Sequence, residues 1–285
     1  MILYEHPSSG NCLKARVMLD QVGAAYERVE LDLFAGETRT PEHFARNPDG
    51  RIPVLELDSG EYLAESGAIL LYLAEGTEFL PADPLLRAQV HAWMFFEQNQ
   101  VEANIGVARF LALSGRAESV PEVFADRQRR GRDALATIER GLGDRDFVVG
   151  DAYTVADLAL YGYVHVADDA GVALAEHPDV AAWVERVAAL PGFEEPLAPM
   201  PAHARDLGNA RLMTMRGDGH TAYGAGSPDC IDTAVETYLV TKVLPPAGTK
   251  CDQDVPFTAP EDAAAKRTPA QDRVVRPHVR PLPRR

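Results

Sequence analysis

The chain has 285 residues, of which 46% are hydrophobic, and this is enough for two packed domains. Its formal net charge of −15 argues against a nucleic-acid or anionic-membrane partner over most of the surface. No apolar run approaches the roughly 20 residues that a membrane-spanning helix needs, and the start of the chain lacks the basic and apolar regions of a signal peptide. We therefore expect a cytoplasmic protein with neither a nucleic-acid nor a membrane partner.

The amino-terminal part of the chain combines short strand and helix patterns. Apolar and charged side chains alternate at residues 27–33, which is typical of a half-exposed strand. An Asp-Ser-Gly turn at residues 58–60 joins two strand patterns and predicts an antiparallel hairpin. The resulting β-α-β-α-β-β-α order predicts a mixed sheet flanked by helices. The strands are predicted at residues 1–4, 27–33, 52–57 and 58–64, and the helical segments at residues 7–22, 41–48 and 66–75.

After a proline-rich linker at residues 80–84, the sequence changes to long helical patterns. Thr154 is suited to cap one of these helices, with Asp157 returning a hydrogen bond to the Thr154 backbone. We expect an all-α domain over residues 84–203. Its helices are predicted at residues 84–113, 120–142, 154–170 and 177–190.

Four segments within residues 1–203 together resemble a glutathione S-transferase. They read YEHPSSGNCLKARVMLD, NPDGRIPVLEL, LAESGAILLYLAE and FVVGDAYTVADLAL, in this order along the chain. The resemblance implies an α+β protein with a thioredoxin-like, glutathione-binding domain at residues 1–77 and an all-α domain at residues 84–203. It also implies glutathione as co-substrate, a small hydrophobic electrophile as second substrate, and a homodimer. We expect no metal, because the three cysteines are too few and too spread for a zinc site.

The resemblance assigns five residues to glutathione binding. The Ile52–Pro53 bond is expected to be cis, so that the Ile52 backbone pairs with the cysteinyl backbone of glutathione like an added strand. Glu65 and Ser66 stand at a helix start, where backbone N–H groups and the helix dipole favour an anion. The γ-glutamyl carboxylate is therefore expected on Ser66, with Glu65 near the ammonium group. Arg51 is either a solvated loop charge or a contact to the glycyl carboxylate.

Catalysis requires that the glutathione thiol, with a reference pKa of about 8.5, be held as a thiolate near neutral pH. A hydroxyl or amide donor at the start of the first helix is suited to this task. By resemblance to the bacterial pattern of a Ser or Thr two residues before an Asn, we assign this role to Ser9 and Asn11. Ser8 is the neighbour that could replace Ser9, whereas Tyr4 lies inside the first strand and is expected to pack there.

Cys12 offers a different chemistry. If its thiol faces the site, it could form a mixed disulfide with glutathione and support thiol-transferase or disulfide-reductase activity. The other reading is a small buried residue on the first helix. In the family, the first helix of the all-α domain lines the electrophile site, and the candidates there are Phe95, Phe96, Asn99, Asn104 and Arg109.

Residues 210–257 do not follow the transferase pattern and instead resemble the carboxyl-terminal end of tripeptidyl-aminopeptidase-like α/β-hydrolases. That resemblance makes His220 the triad histidine and implies a disulfide between Cys230 and Cys251, whereas a cytosolic location predicts free thiols at both positions. The chain has no G-x-S-x-G nucleophile elbow. We therefore expect a fused fragment without hydrolase activity, followed by a disordered, basic, proline- and arginine-rich tail at residues 258–285.

The leading interpretation is thus a glutathione transferase that conjugates the glutathione thiolate to a hydrophobic electrophile. A non-catalytic glutathione-binding or regulatory protein of the same fold is the alternative if the thiolate is not activated. A Cys12-dependent glutathione disulfide reductase is the other alternative.

Overall fold

In the computed structural model of the chain, four strands near the amino terminus form one mixed sheet in the order β2-β1-β3-β4. Strand β1 pairs in parallel with β2 and antiparallel with β3, and β3 pairs antiparallel with β4. The predicted hairpin around the Asp-Ser-Gly turn is therefore present. The strands are β1 (Ile2–Glu5), β2 (Glu27–Glu30), β3 (Val54–Glu56) and β4 (Tyr62–Ala64).

The structure describes residues 1–200, 214–216, 230–231, 233–235, 237 and 249–252. The helices are α1 (Gly10–Gln21), α2 (Pro41–Arg46), α3 (Ser66–Ala74), α4 (Pro84–Phe96), α5 (Val107–Leu113), α6 (Pro121–Leu142), α7 (Val155–Val164) and α8 (Pro178–Ala188). A π-helical segment, Glu97–Gly106, runs between α4 and α5 without a break in the chain's helical course. The α+β class, with a thioredoxin-like sheet domain and an all-α part, is confirmed. Among the described residues, no helix is long and apolar enough to cross a membrane.

Helix α1 lies between two hydrophobic cores and is therefore buried on most of its surface. Ala15 and Leu19 pack against the sheet with Leu3 of β1, whereas Val17 and Met18 belong to the large core of the helical part. The opposite sides of one helix thus fill two cores. This double burial decides which side chains of its first turns can reach solvent or a ligand.

Close packing of α1 on α7 depends on two glycines. A Cβ atom on Gly10 would meet the carbonyl oxygen of Gly162, and a Cβ on Gly162 would meet the Lys14 side chain. The N-terminus of α7 is fixed by the predicted capping box, in which the Asp157 carboxylate accepts a hydrogen bond from the backbone N–H of Thr154 at 3.0 Å. The two glycines allow the helical part to pack closely on α1, the helix that Ser9 caps.

The chain divides into two units, Met1–Asp206 and Leu207–Arg285. In the second unit, β5 (Thr214–Arg216) pairs in parallel with β6 (Lys250–Asp252). Cys230 and Cys251 form a disulfide with their Cα atoms 5.8 Å apart, well within the span of such a bond. The expectation of free thiols at these positions is therefore wrong, and the pairing is the one that the hydrolase resemblance implies. His220 and residues 258–285 lie outside the described residues.

Candidate functional site

A polar cleft contains all five of the residues assigned to glutathione binding. It lies between the first turn of α1, the loop that joins α2 to β3, the start of α3 and the π-helical segment. Asn11 lines it as well, together with three residues that were not predicted from the sequence. The lining residues are Asn11, Asn47, Arg51, Ile52, Pro53, Glu65, Ser66, Gln98 and Glu102.

Two side chains hold the loop that carries Ile52 through hydrogen bonds to its backbone. The Ile52–Pro53 peptide bond is cis, as the resemblance implied. The carbonyl oxygen of Arg51 accepts hydrogen bonds from Nδ2 of Asn47 and from Nε2 of His43, each at 3.0 Å. The Arg51 guanidinium is largely exposed and forms an ion pair with Asp49 at 2.6 Å. Arg51 therefore offers a surface charge at the rim of the cleft.

Glu65 and Ser66 form the start of α3 in an unusual backbone conformation. Glu65 has a φ of 69°, a left-handed value that is uncommon for residues other than glycine and concentrates at functional sites. Ser66 is buried as the first residue of α3, and its hydroxyl donates to Oδ1 of Asn11 at 3.2 Å. The first N–H groups of α3 have no acceptor within their own helix. This geometry suits a carboxylate at the N-terminus of α3.

Five side chains close a ring of hydrogen bonds between α1 and the π-helical segment. Nδ2 of Asn11 donates to Oε1 of Glu102 at 2.8 Å. Gln98 donates to the other oxygen of Glu102 at 2.9 Å and to Glu97 at 2.8 Å. Nζ of Lys14 completes the ring by donating to Glu97 and to Oδ1 of Asn11, each at 2.8 Å. The ring fixes which end of the Asn11 amide faces which neighbour.

The Lys14–Glu97 ion pair in this ring is almost fully buried, with side chains 1% and 2% exposed. Burial raises the pKa of the Glu97 carboxyl, and the Lys14 ammonium opposes this increase. Neither residue was singled out from the sequence, because a Lys on α1 and a Glu far along the chain give no local signal of their contact. The pair links the sheet domain to the helical part directly beside the polar cleft.

A second cavity, of about 120 Å³, contains Ser9. We call it the Ser9 cavity. Ser9 caps α1, and its Oγ accepts a hydrogen bond from the backbone N–H of Cys12 at 3.3 Å. The two predicted catalytic residues thus line different cavities, although they are two positions apart on the first turn of α1. The Ser9 cavity is lined by Ser8, Ser9, Leu33, Phe34, Gly106, Arg109, Phe110, Tyr163 and Met200.

Ser8 and Tyr4 are both engaged in other contacts. The Ser8 hydroxyl is buried and lies 2.8 Å from Nδ1 of His6 in a hydrogen bond. The Tyr4 hydroxyl donates to Glu56 at 2.8 Å, and burial raises its pKa. Tyr4 lines neither of the two cavities. These contacts favour Ser9 over both residues as the hydroxyl that faces a ligand.

Cys12 points into the protein interior and lines neither cavity. Its side chain is fully buried, and this burial raises the pKa of the thiol to about 12. Hydrogen bonds from Ser9 and from the backbone at His6 counter only part of that shift. The structure therefore favours the packing interpretation of Cys12 over a role as a redox nucleophile.

Of the five electrophile-site candidates on the helix after the linker, only Arg109 lines the Ser9 cavity. Phe95 is 70% exposed, and the Phe96 ring packs against Trp93 with centroids 5.4 Å apart. Asn104 is buried and bonded to its own helix and to Arg127. The other four candidates do not line this cavity, because the sequence did not indicate which side of this long helix faces α1.

Two family models for the glutathione S-transferase match the chain, the N-terminal domain at residues 1–75 and the C-terminal domain at residues 121–186. A third family, described as TAP-like protein, matches residues 195–251. The match to TAP-like proteins agrees with the second resemblance seen in the sequence.

Individual relatives match about two thirds of the chain. A maleylacetoacetate isomerase from Rhizobium meliloti is 38% identical over 202 residues, which are 68% of this chain and 93% of that protein. The crystal structure of a glutathione S-transferase from Pseudomonas fluorescens is 44% identical, with a TM-score of 0.66 over 67% of this chain and 96% of that one. The structure of Ure2p in complex with glutathione is 27% identical, with a TM-score of 0.62 over 67% and 95%.

Proposed function

Because the chain belongs to the glutathione S-transferase family, we propose that it is a glutathione transferase that conjugates the glutathione thiolate to a small, largely hydrophobic electrophile. The polar cleft takes the tripeptide. The backbone of Ile52 beside Pro53 pairs with the cysteinyl unit, and the start of α3 at Ser66 takes the γ-glutamyl carboxylate. Glu65 and Glu102 both line the cleft and provide negative charge for the γ-glutamyl ammonium.

The gathering of six of the seven residues assigned from the sequence in one polar cleft is the observation that carries this proposal. They come from three separate segments of the chain, so their meeting is a property of the fold rather than of any local motif. The glutathione-bound structure of Ure2p, a relative of the same fold, supports the same ligand.

Ser9 supplies the donor for the thiolate. Its Oγ accepts from the Cys12 N–H as the helix cap, and its hydroxyl also interacts with the Cys12 sulfur. In the proposed mechanism the hydroxyl hydrogen turns from Cys12 to the glutathione sulfur in the Ser9 cavity. The N-terminal end of α1 adds a partial positive charge. The thiol proton leaves to solvent, the thiolate forms a C–S bond at the electrophilic carbon, and the displaced group departs with its bonding electron pair.

Asn11 acts mainly by orientation. Its Oδ1 accepts from Lys14 and Ser66, and one of its amide N–H groups is bonded to Glu102. Among the residues that the structure describes, the second amide N–H has no acceptor, and Asn11 lines the polar cleft. Asn11 therefore joins the binding end of the cleft to the helical turn that carries Ser9.

The experiment that tests the proposal measures steady-state conjugation of glutathione to a chlorodinitrobenzene and, separately, glutathione binding by calorimetry. Ser9→Gly removes the hydroxyl but remains an acceptable helix cap, whereas Ser9→Ala also loses about 1 kcal/mol of cap stabilisation. Both variants are expected to lose about a hundredfold in kcat with little change in glutathione affinity. Ser119→Ala, at an exposed turn, is the matched control.

The second candidate function is glutathione binding without catalysis. The structure of the relative Ure2p in complex with glutathione supports the binding part of this function. In that case the wild-type chain binds glutathione, but its conjugation rate equals the uncatalysed rate. Absence of glutathione binding would contradict both functions.

We also propose that the chain is a homodimer, as family members usually are. Large exposed apolar side chains occur on both parts that such a dimer joins, Tyr62 and Tyr72 in the sheet domain and Leu85 and Phe95 in the helical part. Light scattering after size-exclusion chromatography is expected to give twice the chain mass of 31.0 kDa.

A further inference from the structure

The Ser9 cavity has an asymmetric distribution of charge. Among the described residues that line it, Arg109 is the one with a formal charge. The other walls are apolar or carry hydroxyl groups, and Leu33, Phe34 and Phe110 supply much of the apolar surface. A cavity with one buried cation and no lining carboxylate favours a ligand with an anionic group.

Arg109 is held in a fixed orientation by two hydrogen bonds. Its Nε donates to Oδ2 of Asp169 at 2.9 Å, and its Nη1 donates to the carbonyl oxygen of Ser8 at 3.2 Å. The residue is only 5% exposed. Its Nη2 has no hydrogen-bond partner in the part of the chain that the structure describes. The guanidinium is thus positioned in advance, with donor capacity left over.

The Asp169 carboxylate only partly offsets this charge. Its side chain is 44% exposed, so solvent screens its attraction to the buried guanidinium. Asp169 is also absent from the lining of the cavity, so a ligand in the cavity contacts the Arg109 guanidinium and not the Asp169 carboxylate. A fork of N–H donors matches the geometry of a carboxylate better than that of a neutral acceptor.

The Tyr163 hydroxyl is compatible with this preference. Tyr163 lines the same cavity and is a neutral phenol because burial raises its pKa well above the usual value. A neutral phenol is able to donate a hydrogen bond and carries no negative charge that would repel an anion.

We propose that the Ser9 cavity selects electrophiles that combine an apolar body with a carboxylate, and that Arg109 is the residue that binds the carboxylate. This inference rests on the proposed function, since glutathione must occupy the polar cleft while the electrophile occupies the Ser9 cavity. The chemical step is unchanged: the thiolate forms the C–S bond, and the carboxylate stays on the product as a spectator held by Arg109.

The experiment compares two glutathione conjugates that differ at one group, the conjugate of a chlorodinitrobenzoate, which carries a carboxylate, and the conjugate of its neutral methyl ester. Binding of each, and of glutathione alone, is measured by calorimetry, so the readout does not depend on turnover. The wild-type chain is expected to bind the carboxylate conjugate at least about tenfold more tightly than the ester. Arg109→Met is expected to abolish this difference, and Arg130→Met, on the exposed face of α6, is expected to preserve it.

Asp169→Asn provides a second test that leaves Arg109 in place. Removing the competing carboxylate is expected to increase the preference for the charged conjugate several-fold. Equal affinities of the two conjugates in the wild-type chain would overturn the inference, even if glutathione binds and conjugation proceeds. An equal loss for both conjugates in Arg109→Met would also overturn it, because Arg109 would then act on the sulfur or on the fold. Failure of glutathione itself to bind would instead contradict the proposed function.

Discussion

At the scale of single residues, Ser9 and Cys12 show how one helical turn separates a ligand-facing group from a buried one. Ser9 is the cap of α1 and lines the cavity of about 120 Å³, whereas Cys12 enters the interior three positions later. A sequence pattern that places both near the helix start cannot separate them. The direction of each side chain follows from how α1 packs between two cores, which the pattern does not contain.

The buried thiol of Cys12 leads to a prediction about pH and labelling. With a pKa of about 12, only about one Cys12 side chain in ten thousand is a thiolate at pH 8. Because burial raises this pKa, the thiolate becomes a substantial fraction of Cys12 only as the pH approaches 12. We expect native protein to leave Cys12 unmodified by iodoacetamide at pH 8, and denatured protein to be alkylated there, as read by peptide mass spectrometry.

The matched variant for this prediction is Cys12→Ala, which removes the thiol and keeps a small side chain. It is expected to retain the wild-type kcat for conjugation and to lose about 1 kcal/mol of stability from the vacated volume. A glutathione mixed disulfide at Cys12 in native protein, or loss of turnover in Cys12→Ala, would restore the redox interpretation.

Local motifs in the sequence were enough to predict residues that the structure places together in one polar cleft. The cis-proline loop at Ile52 and Pro53 and the helix start at Glu65 and Ser66 each consist of neighbouring residues, so their geometry follows from a few positions. Gln98 and Glu102 line the same cleft but were not predicted. Their place depends on how a distant helical segment docks on α1, and no spacing rule in the sequence encodes that docking.

At the scale of elements, the contact between α1 and the π-helical segment Glu97–Gly106 joins the two parts of the transferase fold. Helices with i→i+5 bonding are rare and frequently occur at functional sites. In this protein, Glu97 of the segment accepts a hydrogen bond from Lys14, and Glu102 accepts one from Asn11. Asn11 and Lys14 are three positions apart on α1. The sequence predicted an uninterrupted helix over residues 84–113 and gave no sign of the change in helix type.

The buried Lys14–Glu97 pair leads to a prediction about stability. Lys14→Met leaves Glu97 buried without its cation, and breaking a buried pair in this way costs about 3–5 kcal/mol. The double variant Lys14→Met with Glu97→Leu is expected to recover most of this loss, since neither charge remains buried. Urea unfolding of the wild type and the three variants closes a double-mutant cycle. Additive losses would show that the two side chains do not interact.

The Lys14→Met variant is also expected to show a dependence of stability on pH with a defined sign. Burial raises the pKa of Glu97 above its unfolded value, so the folded state binds more protons than the unfolded state between these two pKa values. Loss of the Lys14 ammonium strengthens this effect. The free energy of unfolding of Lys14→Met should therefore decrease as the pH increases from the unfolded pKa through the folded one. Lys14→Met combined with Glu97→Gln should lack this decrease.

At the scale of the whole molecule, the residues described in the first unit account for the proposed activity. Both cavities and both hydrophobic cores belong to Met1–Asp206. The match to TAP-like proteins continues from residue 195 to residue 251 and thus lies mainly in the second unit. The sequence alone separated these two resemblances correctly, because each rests on motifs within its own segment. The expected cytosolic location led to the wrong prediction of free thiols at Cys230 and Cys251, since the expected compartment does not determine which cysteines form a disulfide.

The division into two units predicts the outcome of truncation. A chain that ends at Asp206 keeps both hydrophobic cores and every residue of the two cavities, so we expect it to fold cooperatively and to bind glutathione like the full chain. Its kcat/KM for conjugation should stay within about twofold of the full-length value.

Reducing the Cys230–Cys251 disulfide in the full chain should likewise leave kcat/KM unchanged, because both cysteines lie beyond Asp206. If truncation and reduction both lowered kcat/KM, the second unit would have to support the catalytic one. Loss on truncation alone would instead point to a structural contribution that does not require the disulfide.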